Sequence, residues 1–297
     1  MATHYFKPGS FQAPKGREAD VKHLRDWLKG QPHLPAVSDE HLYLFLNSCD
    51  YQLTKCKETM ENYYTIRTHS PDIFCKRDPS SPLIQVVLNI CNMVPINWTS
   101  PEGYKVVLFR LVDFDASKFH FVEALKMMFM FLDMYLAEDG LRPGYIAVFD
   151  MKGATLGHLA RASISAVKTF MNYIQDCQPA ALKAVHIINT VSFIDKVMLL
   201  VKPFLKSELK QLLHFHGPPE EIAKFIPLEI LPEECGGKTE SAGTAHAKVK
   251  ALMTEYSAWF QEEEELKVDE SKRQGKKHPF SETMGGAEGS FRKLDID

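Results

Sequence analysis

The sequence predicts an α/β protein in which a small all-α region precedes a domain built on a mostly parallel β-sheet. Segments 144–149 and 184–189 are short and nearly continuous in apolar and β-branched residues, which is typical of parallel strands covered on both faces. The stretch between them is long enough for the helical crossover that joins parallel strands. Upstream of residue 80, apolar residues recur at helical spacing, which favours a separate helical region.

Residues 17–75 are predicted to form helices. Val21, Leu24 and Leu28 recur at the spacing of one helical face, and a second apolar repeat follows the plausible cap at Ser38. Serine and proline residues at 80–82 end this region.

These boundaries divide the chain into three parts. We expect an N-terminal helical domain at 1–80, an α/β domain at 81–237, and a C-terminal helix with a polar tail at 238–297. The first strand of the second domain is predicted at 104–111, and a long helix at 120–138. The apolar arc of that helix is wide enough to need two covers, which are the sheet on one side and either protein or a bound apolar molecule on the other.

The C-terminal part is expected to dock by one helical patch at 247–260. The glutamates at 262–265 are expected to stay exposed to solvent. Segment 271–289 is too polar to order itself alone, whereas Phe291 and Leu294 are apolar enough to dock on the body.

Composition excludes several classes of partner and setting. A net charge of -3 with mixed acidic and basic residues gives no global basic field, so nucleic acid is not an expected partner. The 6 cysteines form no CxxC pair, which argues against a compact zinc site or a redox dithiol. The chain shows no signal peptide and no apolar run of about 18 residues, so a cytoplasmic location is expected.

Catalytic and cofactor motifs are missing from the sequence, so we predict no enzyme activity, no cofactor and no metal site. It contains no GxSxG nucleophile elbow, no GxGxxG fingerprint and no phosphate-binding P-loop. His214 and His216 are interpreted as structural histidines on a strand, because two histidines do not complete a zinc site. Asp150 is interpreted either as a cap for a helix beginning near Thr155 or as a buried hydrogen-bond acceptor.

The chain resembles the CRAL-TRIO lipid-binding family, and within it the α-tocopherol transfer protein-like branch. Five motifs in the family's order carry the resemblance: VFDMKG at 148–153, HIIN at 186–189, KPFL at 202–205, HFHG at 214–217 and LPEECGG at 231–237. Segments 45–51 and 61–67 resemble the family's N-terminal helical module. The resemblance therefore covers most of residues 20–240.

The resemblance implies an internal pocket over the sheet floor, walled by the helices at 120–138 and 158–176 and gated by a mobile lid helix. The matching ligand-binding positions are Ala124, Met127, Met128, Phe131, Tyr145, Phe149, Phe170, Tyr173, Ile174 and Ile187. The lid residues are Phe193, Ile194, Val197, Met198 and Val201, with a hinge at Pro203. The same apolar residues also suit an ordinary core.

Departures from the family affect the expected ligand. Tocopherol-binding members carry serine hydroxyls where this chain has Met127 and Phe131, and a tryptophan where it has Ala154. We therefore expect a lipid held mostly by apolar area. A basic cleft for phosphoinositides is implied only weakly, because Ala181, Glu208 and Leu212 stand where the branch carries basic residues. The lysines left to form this cleft are Lys183, Lys202, Lys206 and Lys210.

The sequence thus predicts a carrier that moves a small hydrophobic lipid between membranes. The cargo is expected to be α-tocopherol-like, a retinoid or another isoprenoid. The expected partners are this lipid and a transient membrane surface that contains phosphoinositides. The alternatives are a phospholipid or phosphoinositide exchange protein, which the apolar lining disfavours, and a non-enzymatic protein-interaction scaffold.

Overall fold

The N-terminal region is helical, as predicted. The computed structural model describes residues 4–284. The first helices are α1 (Glu18–Lys29), α2 (Asp39–Ser48), α3 (Leu53–His69), α4 (Pro71–Phe74) and α5 (Pro82–Ile90). On α1, Val21 and Leu24 are buried, which is the face that the apolar spacing indicated. Proline is tolerated at the first position of α5. A backbone N–H at that position would have no carbonyl acceptor within the helix, so its absence costs no hydrogen bond.

A five-stranded, mostly parallel sheet follows, which confirms the predicted fold class. Its strands, side by side in chain order, are β1 (Cys91–Thr99), β2 (Lys105–Leu111), β3 (Tyr145–Asp150), β4 (Leu182–Ile188) and β5 (Leu213–Phe215). β1 pairs with β2 antiparallel, and the other neighbours are parallel. β1 was not predicted, because Pro95 interrupts its apolar pattern. Proline is tolerated there because β1 is an edge strand.

The remaining helices lie against the sheet and the N-terminal region. They are α6 (Phe121–Asp139), α7 (Leu156–Leu159), α8 (Ile164–Asp176), α9 (Ile194–Val201), α10 (Ser207–Gln211), α11 (Ala242–Glu255), α12 (Ser257–Glu264) and α13 (Pro279–Met284). The single helix expected at 158–176 is wrong, since the structure divides it into α7 and α8. Ser163 caps the new start, and its Oγ accepts a hydrogen bond from the Ala166 N–H at 3.2 Å.

Alternation along the strands separates two apolar layers. Val106, Leu108 and Ile146 belong to one cluster, which is covered by the turns after β5 and the start of α11. Val107 and Ala147 belong to the larger cluster, which continues through α6 and α8 into the N-terminal helices. The sheet therefore has covers on both faces, as a parallel sheet requires.

A buried carboxylate joins the N-terminal helices to α6. Asp133 Oδ2 lies 2.9 Å from Nη1 of Arg67 and 2.5 Å from Nη1 of Arg77. The same two guanidinium groups also contact other elements. Arg67 donates to the Tyr173 hydroxyl on α8 at 3.0 Å, and Arg77 donates to the Phe260 carbonyl on α12 at 3.3 Å.

The C-terminal part docks more completely than the sequence indicated. The expected exposure of the glutamates at 262–265 is wrong for Glu263, which is buried and lies 3.2 Å from Nε2 of His41. Farther along, Arg273 contacts Glu61 and donates to Thr65 on α3. Residues 285–289, Phe291 and Leu294 lie outside the described residues.

No helix within residues 4–284 is long and apolar enough to cross a membrane.

We expect Asp133→Ala to lower the free energy of unfolding by about 3 to 5 kcal/mol, because it leaves two buried guanidinium groups without their carboxylate. Urea denaturation followed by circular dichroism measures this loss. Asp26→Ala is the matched control, since Asp26 pairs with Lys29 at the surface, where an ion pair contributes little. Similar losses in the two variants would show that the buried ion network does not hold these helices together.

Candidate functional site

A large apolar cavity lies between the sheet, α6, α8 and α9. Its volume is about 480 Å³, which is within the range of small-molecule sites. The three central strands supply most of the floor through alternate residues: Val107, Phe109, Ala147, Phe149, Val185 and Ile187. Because side chains alternate across a strand, these residues share the face opposite to the smaller cluster.

Helix α6 forms one wall with residues one helical turn apart. Ala124, Met128 and Leu132 line the cavity from one stripe of this helix, and Tyr135 extends the stripe. Leu125 and Leu136, which are adjacent to this stripe, also line the cavity. The stripe that holds Asp133 contacts the N-terminal helices instead.

Most of the predicted pocket positions line this cavity. They are Ala124, Met128, Tyr145, Phe149, Phe170, Ile174 and Ile187. The structure places Met127, Phe131 and Tyr173 in the core beside the cavity, where their side chains are fully buried and do not form part of its wall. The two departures from family serines at Met127 and Phe131 therefore do not change the cavity lining, whereas Ala154 does lie on it.

The predicted lid segment forms α9 and closes one side of the cavity. All five predicted lid residues line it: Phe193, Ile194, Val197, Met198 and Val201. None of the eight residues of α9 is fully buried, and Leu199 on its outer side is 73% exposed. Helix α9 is followed by a short 3-10 turn that contains Pro203.

Several lining residues were not identified from the sequence. Met93 on β1 and Val107 on β2 belong to the floor, and Leu205, Leu209 and Leu213 follow the lid. The alternation of side chains along β2 would have predicted Val107, which shares a face with Phe109. Met93 had no such signal, because its strand was not predicted.

Asp150 is a buried hydrogen-bond acceptor at the end of β3, the second of the two predicted roles. Its carboxylate accepts from the Asn189 amide at 2.7 Å and from the Lys152 N–H at 3.0 Å, and lies 3.3 Å from Nε of Arg110. Asn189 has a positive φ of 50°, a conformation that asparagine tolerates better than most residues. Asp150 therefore fixes the loops at this end of the sheet, and Thr155 is the residue that caps α7.

The four lysines proposed for a basic cleft have different surroundings. Lys206 Nζ lies 2.6 Å from Oδ1 of Asp176, and Lys183 Nζ lies 5.7 Å from the centre of the Tyr104 ring. Lys202 and Lys210 are exposed, and neither forms an ion pair within residues 4–284. None of the four lines the cavity.

Three histidines stack where β4 meets β5. The ring centres of His186 and His214 are 4.9 Å apart, and His186 Nδ1 lies 3.0 Å from His216 Nε2. Phe225 packs against all three rings. Burial, with the neighbouring His214 and His216, lowers the pKa of His186 to about 4. The mutual packing of the three rings with Phe225 fits a structural role at this strand pair.

Comparison with known proteins identifies two families along the chain. Residues 92–237 match the CRAL/TRIO domain family, and residues 13–84 match the family described as Pinta-like, UBA domain. The chain is 26% identical over 248 residues to the α-tocopherol transfer protein-like proteins of Mus musculus and Homo sapiens, covering 82% of this chain and 72% of each relative. It is 21% identical over 228 residues to clavesin-2 of Rattus norvegicus, covering 75% of this chain and 70% of that protein.

A solved structure shows the same fold. The crystal structure of Sfh5 superimposes with a TM-score of 0.51 at 13% sequence identity, covering 84% of this chain and 98% of that one.

The histidine cluster should make stability depend on pH. His186 titrates near pH 6.5 when unfolded and at about 4 in the fold, so the stability present above pH 6.5 is lost as the pH falls towards 4. We expect His186→Phe to reduce the loss between about pH 7.5 and about pH 5 by about 1 to 2 kcal/mol. Urea midpoints at both pH values measure it. His120→Gln is the control, because His120 is exposed, and it should show the same pH-dependent loss of stability as the wild type. An unchanged loss in His186→Phe would show that His186 does not cause it.

Proposed function

Because this chain belongs to the CRAL/TRIO family, we propose that it binds a small hydrophobic lipid in the cavity and carries it between membranes. The observation that supports this most directly is an almost wholly apolar cavity of about 480 Å³ with one wall made by a weakly buried helix. An α-tocopherol-like molecule, a retinoid or another isoprenoid suits such a lining. The names of the mouse and human relatives point to the first of these.

The affinity would come mainly from buried apolar area. A ligand that buries about 400 Å² of apolar surface gains about 10 kcal/mol before the costs of association. Met128 on α6 and Met198 on α9 suit this use, since an unbranched, polarizable side chain adapts to irregular ligands. Nothing in this mechanism requires a bond to be made or broken, so the proposed role is that of a carrier and not of an enzyme.

Helix α9 would be the gate. Its inner face contacts the cavity through Val197, and its outer face presents Leu199 to solvent, so little buried area holds it in place. This outer face also exposes Asp195 and Lys196, so Leu199 is the apolar contact that it would offer to a membrane surface. Opening there would let cargo leave without crossing water.

Phosphoinositide recognition is a second element of the proposal. Lys202 directly follows α9, and Lys210 lies on α10 a little farther along the chain, so two exposed cations follow the proposed gate in sequence. Each lysine near an anionic membrane surface contributes about 1 kcal/mol of attraction. Such contacts suit either a carrier that docks on these membranes or the alternative, a phospholipid exchange protein.

We expect Val197→Asp to weaken binding of the apolar dye Nile red by at least about tenfold, because a carboxylate would replace a methyl group on the cavity wall. Transfer of a fluorescent tocopherol analogue between vesicles should slow as well. Leu199→Asp on the same helix is the matched control and should bind the dye as the wild type does. Equal loss of dye binding in both variants would contradict the assigned inner face of α9.

For the membrane contact, we expect the wild type to float with vesicles containing phosphatidylinositol bisphosphate more than with vesicles of phosphatidylcholine alone. The double variant Lys202→Glu, Lys210→Glu should reduce this binding by at least about fivefold. Lys248→Glu, on α11, is the control for a general charge effect. Flotation that is equal with both kinds of vesicle would rule out the lysines as a phosphoinositide site.

A further inference from the structure

A row of large apolar side chains crosses the floor of the cavity from one edge of the sheet to the other. In the strand register, Met93 lies opposite Phe109, and Phe109 lies opposite Phe149. Phe149 in turn lies opposite Ile187, and Ile187 lies opposite Phe215. Residues that lie opposite each other on neighbouring strands share one face of the sheet, and all five line the cavity. Three of the five are phenylalanines, so the row is mainly aromatic.

Phe149 lies at the centre of this row, and part of its ring is open to the cavity. It belongs to β3, the middle strand, so β2 and β4 flank it on both sides. The residues before and after it, Val148 and Asp150, are buried on the other face of the sheet. Phe149 itself is partly exposed. Because it lines the cavity from a strand that is flanked on both sides, the open space that its ring meets is the cavity.

The ring of Phe149 is held in place by a neighbouring ring. Its centre lies 5.0 Å from that of Phe109, with the two planes 20° apart, and Phe131 on α6 meets Phe109 edge-on at 5.8 Å. An aromatic ring has a negative face and a positive edge, so it attracts a second π system in a stacked or edge-on arrangement. A saturated group of similar size buries similar area on the same ring without this attraction. The floor can therefore distinguish cargo by its unsaturation.

Other rings line the cavity from elements that differ in rigidity. Phe193 caps the start of α9, so it would move with the proposed lid. Phe149 is fixed by strand pairing on both sides. A binding site built on strands keeps its geometry more precisely than one built on a mobile segment. Phe149 is therefore the ring that is best placed to select the cargo.

We propose that Phe149 selects a cargo with a flat unsaturated part, either an aromatic ring or a conjugated chain, which packs on its ring. The inference rests on the proposed function, since it names the chemical class of the molecule carried in the same cavity. It favours an aromatic ring system or a retinoid-like polyene among the proposed cargoes. Saturated isoprenoids and straight alkyl chains gain the buried apolar area but not the attraction between π systems.

The test measures a ratio of two affinities on the full chain. Octylbenzene and octylcyclohexane carry the same alkyl chain on a six-carbon ring, and each is used to displace Nile red. The ratio of affinities should favour octylbenzene about 2- to 12-fold more in the wild type than in Phe149→Leu. Comparing the two proteins cancels the difference in water solubility between the two probes, so the change in the ratio reports the contact with residue 149.

Two further variants control this comparison. Phe45→Leu is the matched control and should keep the wild-type ratio, because Phe45 is a buried phenylalanine of α2 outside the cavity lining. Phe149→Ile should lower the ratio as Phe149→Leu does, and its β-branched side chain suits a strand. Both probes are measured on the same sample, so a partly unfolded fraction weakens both apparent affinities equally and leaves their ratio unchanged.

The outcomes separate this inference from the proposed function. If neither probe displaces the dye from the wild type, both are wrong. If both probes displace it and the ratio is the same in the wild type and the two Phe149 variants, the cavity carries lipids but Phe149 does not select them. If Phe45→Leu lowers the ratio as much as Phe149→Leu, the preference does not come from the cavity floor and the inference is wrong.

Discussion

The structure depends on the contact of Arg67 and Arg77 with the single carboxylate of Asp133. The two guanidinium groups come from the N-terminal region, whereas Asp133 belongs to α6, whose opposite stripe lines the cavity. A buried ion pair is a weak source of net stability, but an unpaired one is costly, so the pairing permits few alternative positions. The N-terminal helices thereby fix the rotation of α6, and this rotation decides that Met128 faces the cavity while Met127 faces the core.

The molecule therefore has a firmly packed body and one weakly held helix, α9. The body is held by ion pairs and aromatic packing that extend from α3 through α6 to α12, including the edge-on contact of Tyr5 with Trp259. Helix α9 has no fully buried residue and lies outside that network. Segments with little buried area open at low free energy. A cavity wall that opens while the body stays folded is what a reversible carrier needs.

The strands β2, β3 and β4 and the lid stripe could be predicted from the sequence, because their periodicity is set locally by alternation or by helical spacing. The face that α6 turns towards the cavity could not be predicted, because apolar residues surround most of this helix. The ion pairs of Asp133 with Arg67 and Arg77 select that face. Strand β1 was missed for a different reason. Pro95 argues against a strand in the sequence, but β1 lies at the edge of the sheet, where proline is tolerated. The lining residue His158 was missed as well, although its spacing of three residues from Thr155 is that of a capping pair.

The edges of the sheet have a consequence for a protein that must expose apolar surface. One edge strand, β1, carries Pro95, and the other, β5, is only three residues long. Proline and short length are both known to blunt a sheet edge against pairing with another chain. If α9 opens as proposed, two copies that meet would present exposed apolar walls to each other but no long edge strand to pair with. The fold thus separates the surface that must attract lipid from the backbone groups that would seed aggregation.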